Sequence, residues 1–129
     1  MSLRKARLAL IAALLPALAG GASAEALSGL AGTYGNAAGC RYEATGNYVD
    51  EDMVVLKADE YQTYVTLCEF LDLRKARDGS QVVTALCGHE GDEAQTIEFM
   101  RIVKDASGKD LYAVFSQAGD LLGEVEPCR

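Results

Sequence analysis

His89 is the single histidine of the chain, and it lies in the run Gly88-His89-Glu90-Gly91-Asp92-Glu93. An imidazole changes charge near neutral pH, so acid–base or nucleophilic chemistry would begin here. A triad would need a nucleophile brought to His89 by folding, with a carboxylate on the other side of the ring. No Gly-x-Ser-x-Gly accompanies it, and the flanking glycines and acids predict an exposed loop. Carboxylates recur at Asp50-Glu51-Asp52, Asp59-Glu60, Glu90 and Asp92-Glu93. Two of them roughly 5–10 Å apart in a cleft would suit glycoside hydrolysis. A hard cation would want the oxygens of Glu90, Asp92 and Glu93, or of Asn47, Asp50 and Asp52. Neither run has the twelve-residue calcium-loop pattern, with glycine sixth and glutamate twelfth. No glycine-rich phosphate cradle follows a strand pattern. The residue types therefore predict no catalytic residue, no metal and no cofactor. They leave His89, Glu90, Asp92, Glu93, Asp50 and Asp52 as candidate binding residues. The six tyrosines suit either a barrel core or a protein-binding face.

Cys40, Cys68, Cys87 and Cys128 are the other reactive side chains. An even count in a short exported chain predicts disulfides, and the wide spacings without Cys-x-x-Cys argue against zinc. Of the three possible pairings we favour Cys68–Cys87 and Cys40–Cys128. The first would close a hairpin, and the second would tie the start of the domain to its end.

Export is predicted by the N-terminus. Arg4, Lys5 and Arg7 precede the apolar run 8–18, and Ala22-Ser23-Ala24 fits a small-x-small cleavage site. The run falls short of the ~20 apolar residues that a spanning helix needs. Residues 1–24 are thus expected to be a signal peptide, with residues 25–129 as one small domain in the periplasm or outside the cell, not inserted in a membrane. After cleavage 9 basic residues face 19 acidic ones, a net charge of −10. Nucleic acid is a poor partner for such a surface, because binding it needs clustered lysine and arginine. A basic protein or a cation is favoured, while the charge also keeps an exported domain soluble. The sequence leaves the oligomeric state open.

Several elements must position these residues. Leu27 and Leu30 suggest a short helical lead-in, and Gly32-Thr33-Tyr34 a first strand. Cys40-Arg41-Tyr42-Glu43 suggests a short strand or pinned loop. Met53–Ala58 reads as a strand. Tyr61–Leu71 and Gln81–Cys87 read as the arms of a hairpin around Arg77-Asp78-Gly79-Ser80, although apolar spacing over residues 59–76 also admits a helix. With Cys68 opposite Cys87, Lys75 would oppose Ser80 across an Ala76–Gly79 loop, or a bulge would intervene. Phe70 and Ala85 would share the face of the bridge. In Ala94–Val103 the alternation puts Ile97, Phe99 and Val103 on one side with Arg101, and Glu98 on the other. Leu111–Phe115 and Leu121–Val125 complete the chain. Short strands separated by turns predict an all-β antiparallel meander, a closed or nearly closed barrel first and a sandwich second.

An exported chain with this β-meander pattern and four cysteines resembles the small disulfide-bonded β-barrel proteins of the proteobacterial periplasm. In outline it is similar to the C-type lysozyme inhibitors. The family's Tyr-x-Cys signature appears only in reversed order, as Cys40-Arg41-Tyr42, so the resemblance is one of architecture and carries over no site residue. Leu30-Ala31-Gly32-Thr33-Tyr34 is faintly similar to the opening of lipocalins, without their tryptophan. The resemblance implies an eight-stranded barrel whose acidic surface faces a basic enzyme. The leading expectation is a non-enzymatic binding protein for a basic partner such as a cell-wall lytic enzyme. The alternatives are a small hydrolase using loop acids with His89, and a cell-envelope structural or calcium-responsive protein.

Overall fold

The computed structural model describes Leu27 and residues 30–129. The expected signal peptide, residues 1–24, lies outside the described residues. Eight strands follow one another around a closed antiparallel barrel: β1 (Tyr34–Gly35), β2 (Val54–Leu56), β3 (Glu60–Thr63), β4 (Thr66–Lys75), β5 (Gln81–His89), β6 (Thr96–Lys104), β7 (Tyr112–Ser116) and β8 (Leu121–Pro127). Short β1 closes the ring by pairing with both β2 and β8. Closure leaves no open sheet edge, which suits a small chain with little surface to spare.

The barrel interior holds Tyr34, Val54, Leu56, Tyr61, Phe70, Leu73, Val83, Met100, Ile102, Tyr112, Val114 and Val125 around the Cys68–Cys87 bridge. Each strand contributes alternate residues, because successive side chains point to opposite faces. Both expected disulfides are present. Cys68 and Cys87 are directly opposed, with Cα atoms 4.0 Å apart. Cys40–Cys128 ties the chain end back to the segment after β1.

The hairpin keeps the expected register near the bridge, with Phe70 opposite Ala85 and both buried. A bulge between Phe70 and Asp72 then shifts the pairing by one, so that Lys75 opposes Gln81 rather than Ser80. Asp78 organises the 76–80 loop: it accepts from the Ser80 amide at 2.9 Å and from Arg101 at 2.8 Å. The other arm is two strands, since a turn at Tyr64-Val65 divides it into β3 and β4.

Three expectations are corrected. Cys40–Glu43 is neither strand nor loop but part of helix α1 (Ala37–Thr45), which packs Ala38 and Tyr42 against Met53 and Val55 on the outside of the barrel. Asn36 starts it, its Oδ1 accepting from the amides of Gly39 (2.8 Å) and Val54 (3.0 Å), and Gly46 ends it in the left-handed conformation. Leu27 and Leu30 form no helix. Leu27 is buried, and its N–H donates to the Ala58 carbonyl at 3.0 Å. In β6 the faces are reversed: Ile97 and Phe99 are 55% and 45% exposed, whereas Met100 and Ile102 are buried. Glu98 points inward with them, and Arg101 lies outside, bound to Asp78. Both faces of β6 carry large apolar residues, so alternation alone identified a strand without saying which face was inner.

Candidate functional site

The turn between β3 and β4, the loop between β5 and β6 and the segment linking α1 to β2 share one end of the barrel, since strand direction alternates around it. That end carries a polar cluster inside and a groove outside.

The inner cluster follows from strand parity. Thr66 faces inward with Cys68 and Phe70, His89 with Cys87, and Glu98 with Met100. The register that opposes the two cysteines also opposes Thr66 and His89. His89 is therefore the last residue of a strand and not part of a free loop, and its ring sits between two partners. Nδ1 meets the Thr66 hydroxyl at 2.8 Å, and Nε2 meets the Glu98 carboxylate. Thr96 also donates to Glu98, at 2.9 Å. This network fits the neutral tautomer in which Thr66 donates to Nδ1 and Nε2–H donates to Glu98. Thr66, Thr96 and Glu98 were not among the residues singled out by type. Their signal was positional and visible only through the register: Thr66 stands two residues from Cys68, Thr96 pairs with Cys87 and Glu98 pairs with Ala85.

One carboxylate oxygen of Glu98 and the sulfurs of Cys68 and Cys87 lie within 4.8 Å of one another, but the sulfurs are bonded together. Among the described residues, the acids of the two loops bring no three ligand atoms that close.

The groove, of about 450 Å³, lies on the outer wall. Gln62, Leu67 and Gly88 are cross-strand neighbours on β3, β4 and β5, and all three point outward because Tyr61, Cys68 and Cys87 beside them point in. Gly88 has no side chain, so the row dips there. Tyr64 and Val65 form one rim, where the Val65 carbonyl accepts from the Glu90 amide at 2.7 Å. Tyr48 reaches in from the segment after α1. Its ring stands nearly perpendicular to that of Tyr64, at 88° with centroids 5.2 Å apart, and stacks on Tyr42 at 4.5 Å. The Tyr48 hydroxyl donates to that of Tyr42, which raises the pKa of Tyr48 and lowers that of Tyr42.

Among the described residues no lysine or arginine lines the groove, and Glu90 does. Of the candidate binding residues, Glu90, Asp92 and Glu93 are exposed on the loop beyond β5. Asp50 and Asp52 follow Tyr48 on the neighbouring segment, where Asp50 meets Arg41 only at 4.0 Å and both side chains are mostly exposed. Tyr48, two residues before Asp50, and Glu90 thus line the same groove. Tyr48, Val49, Tyr64, Val65 and Leu67 are all exposed around it.

Two disulfide-linked pairs are at home in an oxidising compartment, and no helix among the described residues is long and apolar enough to cross a membrane. No protein-family profile, curated protein or solved structure matches this chain.

Proposed function

We propose that this is an exported binding protein, periplasmic or secreted, that recognises a basic protein partner without transforming it. A cell-wall lytic enzyme is the most specific form of that partner. The observation that carries the reading is the groove: exposed tyrosines and aliphatics beside Glu90, with no basic side chain lining it among the described residues. Tyrosine-rich patches with a polar rim are what protein interfaces use, and a net charge of −10 after cleavage would speed encounter with a cation. The architectural resemblance to C-type lysozyme inhibitors points the same way.

The test uses the mature chain and a basic cell-wall lytic enzyme of lysozyme type. Binding by calorimetry should weaken as sodium chloride rises, lytic activity should fall at equimolar protein, and Tyr64→Ala should weaken both effects by about tenfold. Salt-independent binding, or capture of acidic partners only, would refute the electrostatic basis of the reading.

A second reading rests on a different observation, the chain Thr66–His89–Glu98. It has the connectivity of a hydroxyl nucleophile, a base and an orienting carboxylate. In this hydrolase reading Thr66 Oγ1 attacks an ester carbonyl as its proton passes to His89, and the leaving group takes that proton. Water then frees the acyl group from Thr66. The hydrolase predicts covalent labelling of Thr66 by a fluorophosphonate, lost in His89→Gln. An unlabelled Thr66, with no ester hydrolysis above that of the Thr66→Val variant, would end it.

A further inference from the structure

We infer that the groove receives an arginine side chain of the partner; the inference rests on the binding function proposed above and specifies its chemistry. Four features converge on a guanidinium. Tyr48 and Tyr64 stand at right angles and form an aromatic corner, and both are exposed, at 50% and 39%. A planar cation is attracted to the faces of such rings. Glu90 supplies a carboxylate on the groove wall, and among the described residues no basic side chain pairs with it. Leu67 and Val65 offer apolar surface for the methylene stem, as long cationic side chains require. Gln62 adds an amide that can accept a hydrogen bond.

Gly88 makes the space. Its φ is not positive, so nothing in its backbone demands glycine. A Cβ placed there would meet only the side chain of Gln95, at 3.9 Å, an ordinary contact. Glycine in a strand interior is unfavourable for the sheet, and close approach of a ligand is one reason for it. Here the missing side chain opens the floor between Leu67 and the rim.

These features make the site testable without disturbing the fold. A blocked Gly-Arg-Gly peptide is titrated into isotopically labelled mature protein while amide NMR shifts are followed, beside the same peptide with citrulline, a neutral isostere. The expected result is a set of shifts focused on Val65, Leu67, Gly88 and Glu90, with binding about tenfold weaker for citrulline. Glu90→Gln and Tyr48→Leu should each weaken the arginine peptide several-fold. Gly88→Val should abolish its binding while melting at or above the wild-type temperature. Equal binding of the two peptides overturns the inference, as do shifts scattered over the whole acidic surface or unchanged binding by a folded Gly88→Val variant. If the groove ignores arginine yet the lytic enzyme is still bound in a salt-sensitive way, the arginine site falls and the binding function stands. If neither binds, both fall.

Discussion

Gly39 lies inside α1, where glycine costs about 1 kcal/mol relative to alanine. A Cβ there would lie 2.0 Å from the Val54 carbonyl oxygen, so the helix reaches the barrel wall only because that atom is missing. Val54 is also hemmed in by Gly35 and Gly123, whose added Cβ atoms would lie 2.9 and 2.8 Å from it. Gly39→Ala should therefore destabilise the protein by about 3 kcal/mol despite alanine's better helix propensity, read as a lower urea midpoint at unchanged slope. A neutral or stabilising result would mean that the helix can move away from β2. Asn36 serves the same junction, capping α1 and bonding to the amide of Val54 and, at 2.7 Å, to the carbonyl of Asp52. The sequence displays both residues, but nothing in it marks Gly39 as a packing contact. Its reason lies in a contact with a strand fifteen residues on.

The hairpin of β4 and β5 is the longest paired element, and it sets the polar cluster. Its bridge spans a sequence separation of 19 and should contribute about 3 kcal/mol by constraining the unfolded chain. A Cys68→Ala/Cys87→Ala double variant should lose stability of that order, measured by denaturant unfolding of the otherwise oxidised protein. It should also loosen the hold of Thr66 on His89, since the two stand two residues beyond the bridge, one on each strand. Slow amide hydrogen exchange at His89 in the variant, equal to wild type, would show that the hydrogen bonds alone fix that end. The bridge, its register near Phe70–Ala85 and the strand character of residues 61–71 and 81–87 were legible in β-rich composition and cysteine placement. The position of the bulge, at Leu71, and the break at Tyr64-Val65 were not, because no glycine or proline marks either place.

Across the whole molecule, three tyrosines run through the closed interior. Burial pushes the phenols of Tyr34 and Tyr61 up to about 12 and raises that of Tyr112. The hydrogen bond from Tyr34 to Asp110, 2.8 Å long, adds to the first shift. A raised folded-state pKa means that the unfolded chain loses these protons first. The stability tied to them is complete below about pH 10 and falls as the pH rises from 10 towards 12, by up to about 1.4 kcal/mol per pH unit per tyrosine. The melting temperature should drop steeply over that window, and Tyr61→Phe should make the drop shallower. An unchanged slope in that variant would place the alkaline transition elsewhere. The second bridge, Cys40–Cys128, acts at this scale too, because it joins α1 to the end of β8 across 88 residues.

By itself the sequence determined the all-β antiparallel meander, a barrel ahead of a sandwich, the presence of disulfides with a favoured pairing, and the acidic charge. Each depends on a pattern that survives in one dimension: period-two alternation, turn residues, an even number of cysteines, a charge count. The tertiary structure decided which face of each strand is inner, and so where the chemistry-bearing residues point. Alternation has a period but no sign, and Ile97 and Phe99 are as apolar as Met100 and Ile102. Only closure of the ring turned the first pair outward and brought Glu98 in to meet His89. The groove arose in the same way. Tyr48, Tyr64 and the stretch Gly88–Glu90 belong to separate segments, and they meet because the register of three strands and the return of the chain after α1 place them on one wall.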